Sequence, residues 1–396
     1  MAQTIPIGAS AQVRLAEQAS ASTLSVPWYV WCIVAGIASG TLGGMWDISW
    51  HMSIGRDAFW TPAHMAIYLT GVLVGFASAY LILSATFGRE SLHQESSVKI
   101  WGFRGPLGAF IAVWGCIAML TSAPFDNWWH NAYGLDVKIV SPPHTLLSAG
   151  SIAIKIGTLA LIAGLMNRAL PEVRRKLAWL FVFVGATVVA QFGLLITTPT
   201  WPVYMHSATA YLAVCIAIPG VLVGVAWGSG LRWGCTIVAA IYTAILLAFE
   251  WILPLFPAEP KLGPVYQHIT HFVPLRFPLL LIVPAVVLDL LWQRAAQWRR
   301  WPQALLAGVA FLLSFVLVQW PFANFLMSPA ARNWVFGTAY FSYFDPANFS
   351  YDPYRFIAAE NTRTEFWMLM AAALFAAVIT SRVGLAWGDW MRRMRR

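Results

Sequence analysis

Apolar residues run along this chain in long windows of roughly 18 to 25 residues, separated by shorter polar segments. A helix rises about 1.5 Å per residue, so about 20 apolar residues cross the roughly 30 Å hydrocarbon core of a bilayer. The pattern predicts an all-α polytopic integral membrane protein with about ten transmembrane helices in antiparallel hairpins. The predicted windows are 28–46, 63–86, 105–124, 143–166, 177–198, 207–228, 233–255, 276–293, 303–324 and 365–384.

Two segments depart from this alternation. Residues 1–26 are rich in Ala, Ser and Gln and have no apolar core, which predicts a disordered tail. The segment 325–364 is rich in aromatic residues, Asn and Pro, and its length predicts a cap over the outer face. We divide the remaining chain into duplicated helical hairpins at 27–167, further transmembrane helices at 168–324, and a last helix with a basic tail at 365–396.

Basic residues are distributed unevenly between the two sides of the predicted membrane. Of the 25 Lys and Arg residues, seventeen fall on the side that holds both termini and seven on the other. Because Lys and Arg beside membrane helices are retained in the cytoplasm, both termini are predicted to be cytoplasmic. The net charge of +9 then reflects topology and an anionic lipid surface, not nucleic acid. We expect a bacterial inner membrane, with the opposite face in the periplasm.

The outer ends of the first two predicted hairpins carry the same pattern of polar residues. Residues 46–64 read WDISWHMSIGRDAFWTPAH, and residues 125–144 read FDNWWHNAYGLDVKIVSPPH. Each segment has an Asp, a His four positions later, then Gly, Asp, Pro and a second His. Duplication is the simplest explanation, and internal repeats are common in membrane folds.

The spacing in this repeat predicts two clusters at the outer membrane edge. Asp47 and His51 are spaced i, i+4, so they share one helix face if the first helix continues that far. His64 opens the antiparallel second helix, so one carboxylate and two imidazoles can converge. The second hairpin places Asp126, His130 and His144 in the same way.

Carboxylates and imidazoles at the edge of a bilayer are costly to desolvate, and where they occur they usually bind ions, pair or transfer protons. One carboxylate with two imidazoles suits copper, iron or zinc. The thioethers of Met45, Met52 and Met65 favour copper, and Asp57 or Asp136 is placed to orient an imidazole. The predicted metal ligands are Asp47, His51, His64, Asp126, His130 and His144.

Other ionisable residues in the predicted spans have open roles. His206 and His268 precede even-numbered helices in the segments PVYMH and PVYQH, and His271 lies one turn after His268. They lack an Asp-x3-His partner, so their participation in a third site stays open. Lys155 lies near the middle of the fourth predicted helix, where it is expected to face the bundle and meet a carboxylate or carbonyl groups.

The motif Asp-x3-His-x12-His formed by Asp47, His51 and His64 resembles a copper site in the C subunit of copper membrane monooxygenases, the particulate methane and ammonia monooxygenase family. That subunit has a neighbouring site of the form Asn-x3-His-x13-His. Asp126, His130 and His144 match its spacing, with Asp in place of Asn. The resemblance covers roughly residues 45–150, and the chain has about four helices more than that subunit.

The resemblance implies that dioxygen oxidises a small apolar or weakly polar substrate at a periplasmic copper site, within a complex that contains partner subunits. The catalytic residues, the substrate and the electron donor stay undetermined, and iron or zinc is an alternative to copper. Two other classes of function remain open. One is a membrane protein that binds or delivers copper without catalysis, and the other is a transporter, which predicts discontinuous helices and a site near the membrane midplane.

Overall fold

A computed structural model describes residues 25–55, 58–88, 97–134, 141–261, 269–339 and 355–395. These residues form an all-α bundle with one small hairpin of two antiparallel strands, β1 (Val98–Ile100) and β2 (Phe103–Gly105), between the second and third helices. The helices are α1 (Trp28–Ser53), α2 (Pro62–Phe87), α3 (Leu107–Tyr133), α4 (Pro142–Met166), α5 (Pro171–Leu195), α6 (Ala208–Ala217), α7 (Pro219–Ser229), α8 (Gly234–Ile252), α9 (Ile282–Ala295), α10 (Arg300–Leu326) and α11 (Arg363–Arg393).

The expectation of a helical membrane protein is confirmed. Within the described ranges, nine helical segments are long and apolar enough to cross a membrane, with α6 and α7 forming one of them. They correspond to nine of the ten predicted windows. The predicted tail over residues 1–26 falls almost wholly outside the described ranges, as does the middle of the 325–364 segment.

The eighth predicted window differs from the structure. Residues 272–281 form neither helix nor strand, and we call them the extended segment; α9 begins only at Ile282 and has 14 residues. Pro278 within the window and Pro274 just before it account for the difference, because proline has no N–H to donate and its ring clashes with the preceding helical turn. The hydrophobic pattern of residues 276–281 is therefore compatible with a helix that Pro278 prevents.

Side chains from three helices satisfy the backbone of this extended segment. Ser49 donates its hydroxyl to the carbonyl of Val273 at 2.6 Å, and the N–H of Val273 donates to Ser53 at 2.8 Å. Two further N–H groups donate to the hydroxyl of Tyr242 at 3.2 Å and to the amide oxygen of Gln319 at 2.9 Å. Non-helical backbone is tolerated at membrane depth only when protein groups satisfy it, as they do here.

A seam of glycines joins α3 to α4 and fixes the second hairpin. Gly108 faces Gly157 and Gly115 faces Gly150, and a Cβ at Gly150 would lie 2.7 Å from the carbonyl oxygen of Gly115. The glycines are seven residues apart in each helix, so they lie along one contact line. Because the two backbones touch there, the seam determines how closely the outer ends of α3 and α4 approach.

An ion pair and two cations stacked on a Trp ring hold together the end of the bundle where α7 ends and α10 begins. Arg300 contacts Asp389 at 2.7 Å, and the same carboxylate accepts the indole N–H of Trp227 at 2.7 Å. The guanidinium groups of Arg300 and Arg392 lie 4.5 and 4.3 Å from the centre of the Trp227 ring. These contacts join α7, α10 and α11 through cation–π and charge-assisted interactions.

The glycine seam yields a stability prediction. We expect Gly150→Ala to lower the free energy of unfolding by about 1–3 kcal/mol, because the added methyl group would meet backbone atoms of α3. Gly164→Ala in the same helix is the matched control, since a Cβ there meets nothing within 4 Å. Thermal unfolding of both variants in detergent measures the difference, and equal melting temperatures would contradict the seam.

Candidate functional site

The first cluster forms where α1 and α2 meet at one end of the bundle. Helix α1 continues to Ser53, so Asp47 and His51 lie one turn apart on the same face. Thr61 precedes the first residue of α2, and His64 is the third residue of that helix. The Nε2 atoms of His51 and His64 lie 3.7 and 3.2 Å from the two carboxylate oxygens of Asp47. The carboxylate therefore lies between the two imidazoles.

The second cluster repeats this arrangement at the end of α3 and α4. The Nε2 atom of His130 lies 3.3 Å from Asp126, and that of His144 lies 3.5 Å from the other oxygen of the same carboxylate. His144 is the third residue of α4, and its N–H donates to the hydroxyl of Ser141 at the helix start. The predicted convergence of Asp, His and His is thus present in both hairpins.

Backbone carbonyls orient one imidazole in each cluster. The Nδ1 atom of His64 lies 3.1 Å from the carbonyl oxygen of Ala58, and that of His130 lies 3.3 Å from the carbonyl oxygen of Gly134. A carbonyl only accepts, so Nδ1 must be the donor in both rings. In the neutral imidazole, Nε2 is then the nitrogen that carries no proton, and it lies toward the carboxylate.

The same carboxylate oxygen is buried without a hydrogen bond in each cluster. These atoms are Oδ1 of Asp47 and Oδ1 of Asp126, each close to an imidazole nitrogen but without acceptable hydrogen-bond geometry among the described residues. In the first cluster, the Nε2 atom of His64 that carries no proton faces Oδ1 of Asp47, and two such lone pairs repel unless a cation lies between them. A proton on the imidazole would be one such cation, and a metal ion would be another.

The distances within the clusters are compatible with metal ligation. Ligands at about 2.0–2.1 Å from a tetrahedral metal lie about 3.3–3.4 Å apart, and the four Asp–His distances are 3.2, 3.7, 3.3 and 3.5 Å. As they stand, however, no three His, Cys, Asp or Glu side chains in the described part of the chain are arranged to hold an ion. Metal binding would therefore require an imidazole to rotate toward a common point.

Aromatic side chains pack against each other near the helix ends that carry the clusters. Trp50 packs against Phe272 with ring centres 5.9 Å apart, and Trp129 packs against Tyr133 at 4.6 Å. Of the methionines expected to favour copper, Met45 is fully buried and Met65 is 44% exposed. Met45 is therefore buried as a packing residue is, and Met65 is exposed on the outside of the bundle. Neither is shown to be a copper ligand, so the choice of metal rests on the Asp and His side chains.

The structure does not bring the remaining histidines into a third cluster within the described ranges. His206 is sandwiched between Trp320 and Phe356, with ring centres 4.2 and 3.7 Å away, and its Nε2 lies 3.3 Å from the Trp320 carbonyl oxygen. His271 lies 2.9 Å from the hydroxyl of Thr270. His268, Asp57 and Asp136 lie outside the described residues, so their predicted roles stay predictions.

Lys155 faces the interior of the bundle, as expected, but its described partners are neutral. It is 5% exposed and donates to the hydroxyl of Ser151 at 3.2 Å and to the side-chain oxygen of Gln191. Ser151 donates to the same oxygen of Gln191 at 3.0 Å. Of the expected partners, a carboxylate or carbonyl groups, the described contacts include the amide carbonyl oxygen of Gln191, together with a hydroxyl.

The fold and the apolar helices define an integral membrane protein with two carboxylate–imidazole clusters at one end of its bundle. Comparison with protein-family models, with characterised proteins and with solved structures finds no match to this chain. The resemblance to the copper monooxygenase subunit therefore rests on the motif spacing alone, and copper binding stays a proposal.

Sequence reasoning missed two groups that shape the clusters. The carbonyls of Ala58 and Gly134 have no sequence signature, since every residue carries one. Gly134 could have been suspected, because Gly55 and Gly134 each follow the i+4 histidine by four residues and both have positive φ, at 87° and 86°. A left-handed glycine at that place ends the helix and turns the chain back toward the second histidine.

The neutral surroundings of Lys155 yield a second prediction. We expect Lys155→Met to keep or raise the melting temperature, because the change removes a buried amine and leaves no charged partner exposed among its described contacts. Gln191 keeps the hydrogen bond from Ser151. A loss of folded protein on size-exclusion chromatography, rescued by Lys155→Arg, would show that the cation itself is required.

The aromatic sandwich around His206 yields a pH prediction. Burial lowers the pKa of His206 below its usual 6.5, and this outweighs the opposite effect of the Trp320 carbonyl. Below pH 6.5 the unfolded chain therefore gains a proton that the folded chain does not, and stability falls as the pH decreases. We expect a smaller drop in melting temperature between pH 7.5 and 5.5 for His206→Phe, which keeps the stacking; an unchanged drop would contradict this.

Proposed function

We propose that this protein binds copper at its two Asp-His-His clusters and acts as an oxidase or monooxygenase component resembling the C subunit of copper membrane monooxygenases. The observation that carries the proposal is the doubled convergence of one carboxylate and two imidazole nitrogens at 3.2 to 3.7 Å. The unbonded Oδ1 atom in each cluster supports a cation there. A chance arrangement would not repeat the same contacts in two hairpins.

We further propose that both termini are cytoplasmic and that the clusters face the periplasm of a bacterial inner membrane. The uneven distribution of Lys and Arg supports this orientation. For both termini to share one side, the extended segment and α9 must together cross the bilayer as a tenth span. The lipid bilayer would then bring dioxygen and small apolar substrates to the clusters, and partner subunits would complete the enzyme.

The residues of each cluster would have distinct roles in binding. His64 and His130 are held by backbone carbonyls and offer Nε2 in a fixed direction, so they are the preorganised ligands. His51 and Asp47 share one helix face, which brings two ligands together at small entropic cost. Copper would supply the one-electron chemistry that dioxygen activation needs. Asp126 adds a negative charge where the resembled motif has Asn.

One structural observation favours the alternative function of a transporter. A transporter predicts discontinuous helices, and the structure has an extended segment at 272–281 and a span interrupted between α6 and α7 at Pro219. Against this, both clusters lie at helix ends and not at the membrane midplane. Copper delivery without catalysis uses the same ligands and differs only in the absence of substrate oxidation.

The proposal predicts a defined metal content. We expect the purified full-length protein, loaded with copper and washed, to retain about one ion per intact cluster by elemental analysis. The double variant His51→Ala and His130→Ala should lose it, because each cluster loses one of its three ligands. His271→Ala, which removes a histidine outside the clusters, is the matched control and should keep the copper.

The outcomes separate the candidate functions. Retained copper with oxygen consumption that depends on a small hydrocarbon or ammonia and a reductant supports an oxidase. Retained copper without turnover, but with transfer to an apo acceptor protein, supports delivery. Zinc or iron at the same ligands rejects copper chemistry, and equal metal in the double variant and the wild type rejects the clusters as metal sites.

A further inference from the structure

Arg382 places a cation within the membrane-spanning helix α11. It lies eleven residues before Arg393, the last residue of that helix, which is about 16 Å along the axis. Its guanidinium carbon lies 5.5 Å from the centre of the Trp301 ring at the start of α10. Its Nε atom is buried and has no hydrogen-bond partner among the described residues. Because a guanidinium carries five N–H donors, contact with a ring face leaves most of its hydrogen-bonding capacity unused.

The nearest carboxylate along α11 is already engaged by other groups. Asp389 follows Arg382 by seven residues, which places it two turns away on the same face. Its two oxygens accept Nε and Nη2 of Arg300 at 2.8 and 2.7 Å, a bidentate pair. One of them also accepts the indole N–H of Trp227 at 2.7 Å. The charge of this carboxylate is therefore matched by Arg300.

The surface around the guanidinium is apolar and faces out of the bundle. Trp301 is 59% exposed, Leu305 one turn further along α10 is 56% exposed, and Val383 on α11 is 61% exposed. The two helices pack closely beside this surface, since a Cβ at Gly308 would lie 2.6 Å from the backbone nitrogen of Val378. Large apolar side chains on the outside of membrane-spanning helices contact lipid. The guanidinium therefore borders lipid along the line where α10 and α11 meet, which we call the α10–α11 junction.

Further cations lie where α11 ends and α10 begins. Arg393 follows Arg382 by eleven residues, or about three helical turns, so the two share a helix face. Arg393 is exposed, and so is Arg299, which directly precedes α10. Basic side chains between helices at a membrane surface attract the headgroups of anionic lipids. The junction therefore combines an apolar surface with positive charge at one end.

We propose that the α10–α11 junction binds the phosphate group of an anionic phospholipid. The planar fork of Arg382 matches two phosphate oxygens, and stacking on Trp301 fixes the plane of that fork. Tryptophan is typical of the headgroup level, and the acyl chains would lie along Leu305 and Val383. The site uses no residue of the Asp-His-His clusters, so it goes beyond the proposed copper function and does not depend on it.

The test is native mass spectrometry of the delipidated full-length protein in detergent. Equimolar dioleoyl phosphatidylglycerol and dioleoyl phosphatidylcholine are the probes, because they share their acyl chains and differ in net charge and mass. We expect the wild type to bind phosphatidylglycerol in preference. Arg382→Gln should weaken the first phosphatidylglycerol binding step about tenfold, the usual effect of losing hydrogen bonds to a charged acceptor.

Three further variants separate the proposed contacts from general effects. Arg175→Gln is the matched control, because it removes the charge of an exposed arginine on α5 and should bind lipid like the wild type. Trp301→Leu removes the stacked ring and should weaken phosphatidylglycerol binding about threefold. Arg382→Lys keeps the charge and loses the planar fork, so it should keep the preference for phosphatidylglycerol but bind it more weakly than the wild type.

Size-exclusion chromatography identifies the variants that remain folded, and Arg382→Lys replaces Arg382→Gln in the comparison if the latter does not fold. Equal binding of the two lipids by the wild type overturns the site. Unchanged phosphatidylglycerol binding in the Arg382 variant, or an equal loss in Arg175→Gln, overturns it as well. A wild-type dimer that the Arg382 variant abolishes would assign the guanidinium to a second copy of the chain instead.

Discussion

The need to satisfy every backbone N–H and carbonyl group inside the bilayer governs this structure. Most of the chain meets the need with helices, which pair these groups internally. The extended segment at 272–281 cannot, and Ser49, Ser53, Tyr242 and Gln319 supply its partners from three other helices. The exception has a structural consequence, because this segment forms one wall of a cleft whose lining includes Arg276.

The clusters obey a related constraint at the membrane edge. Each carboxylate is only partly exposed and lies between two imidazoles, an arrangement that favours a cation at this position. The close backbone contact at the glycine seam joins the two helices, α3 and α4, that carry Asp126 and His144. Helix packing deep in the bundle thus supports a site at its end.

Two faces of the outer turn of α1 have different surroundings. Asp47 and His51 face His64, whereas Ile48 and Met52, one position further along the helix, face the cleft. A step of one residue rotates the side chain by about 100°, so neighbouring residues serve different surroundings. The outer turn of α1 therefore carries the candidate metal ligands on one face and apolar side chains that line a cleft on another.

The sequence by itself determined the helical membrane class, nine of the spans and the two Asp-x3-His faces, because hydropathy and i, i+4 spacing act within one segment. Only the tertiary structure decided that His64 and His144 reach the carboxylates, that His206 lies between aromatic rings instead, and that Lys155 meets neutral groups. These contacts join residues distant in the chain, so they depend on how the helices pack. The eighth window shows the boundary between the two. Its hydropathy predicted one helix over 276–293, whereas Pro278 and hydrogen bonds from other helices keep residues 276–281 non-helical, and α9 begins at Ile282.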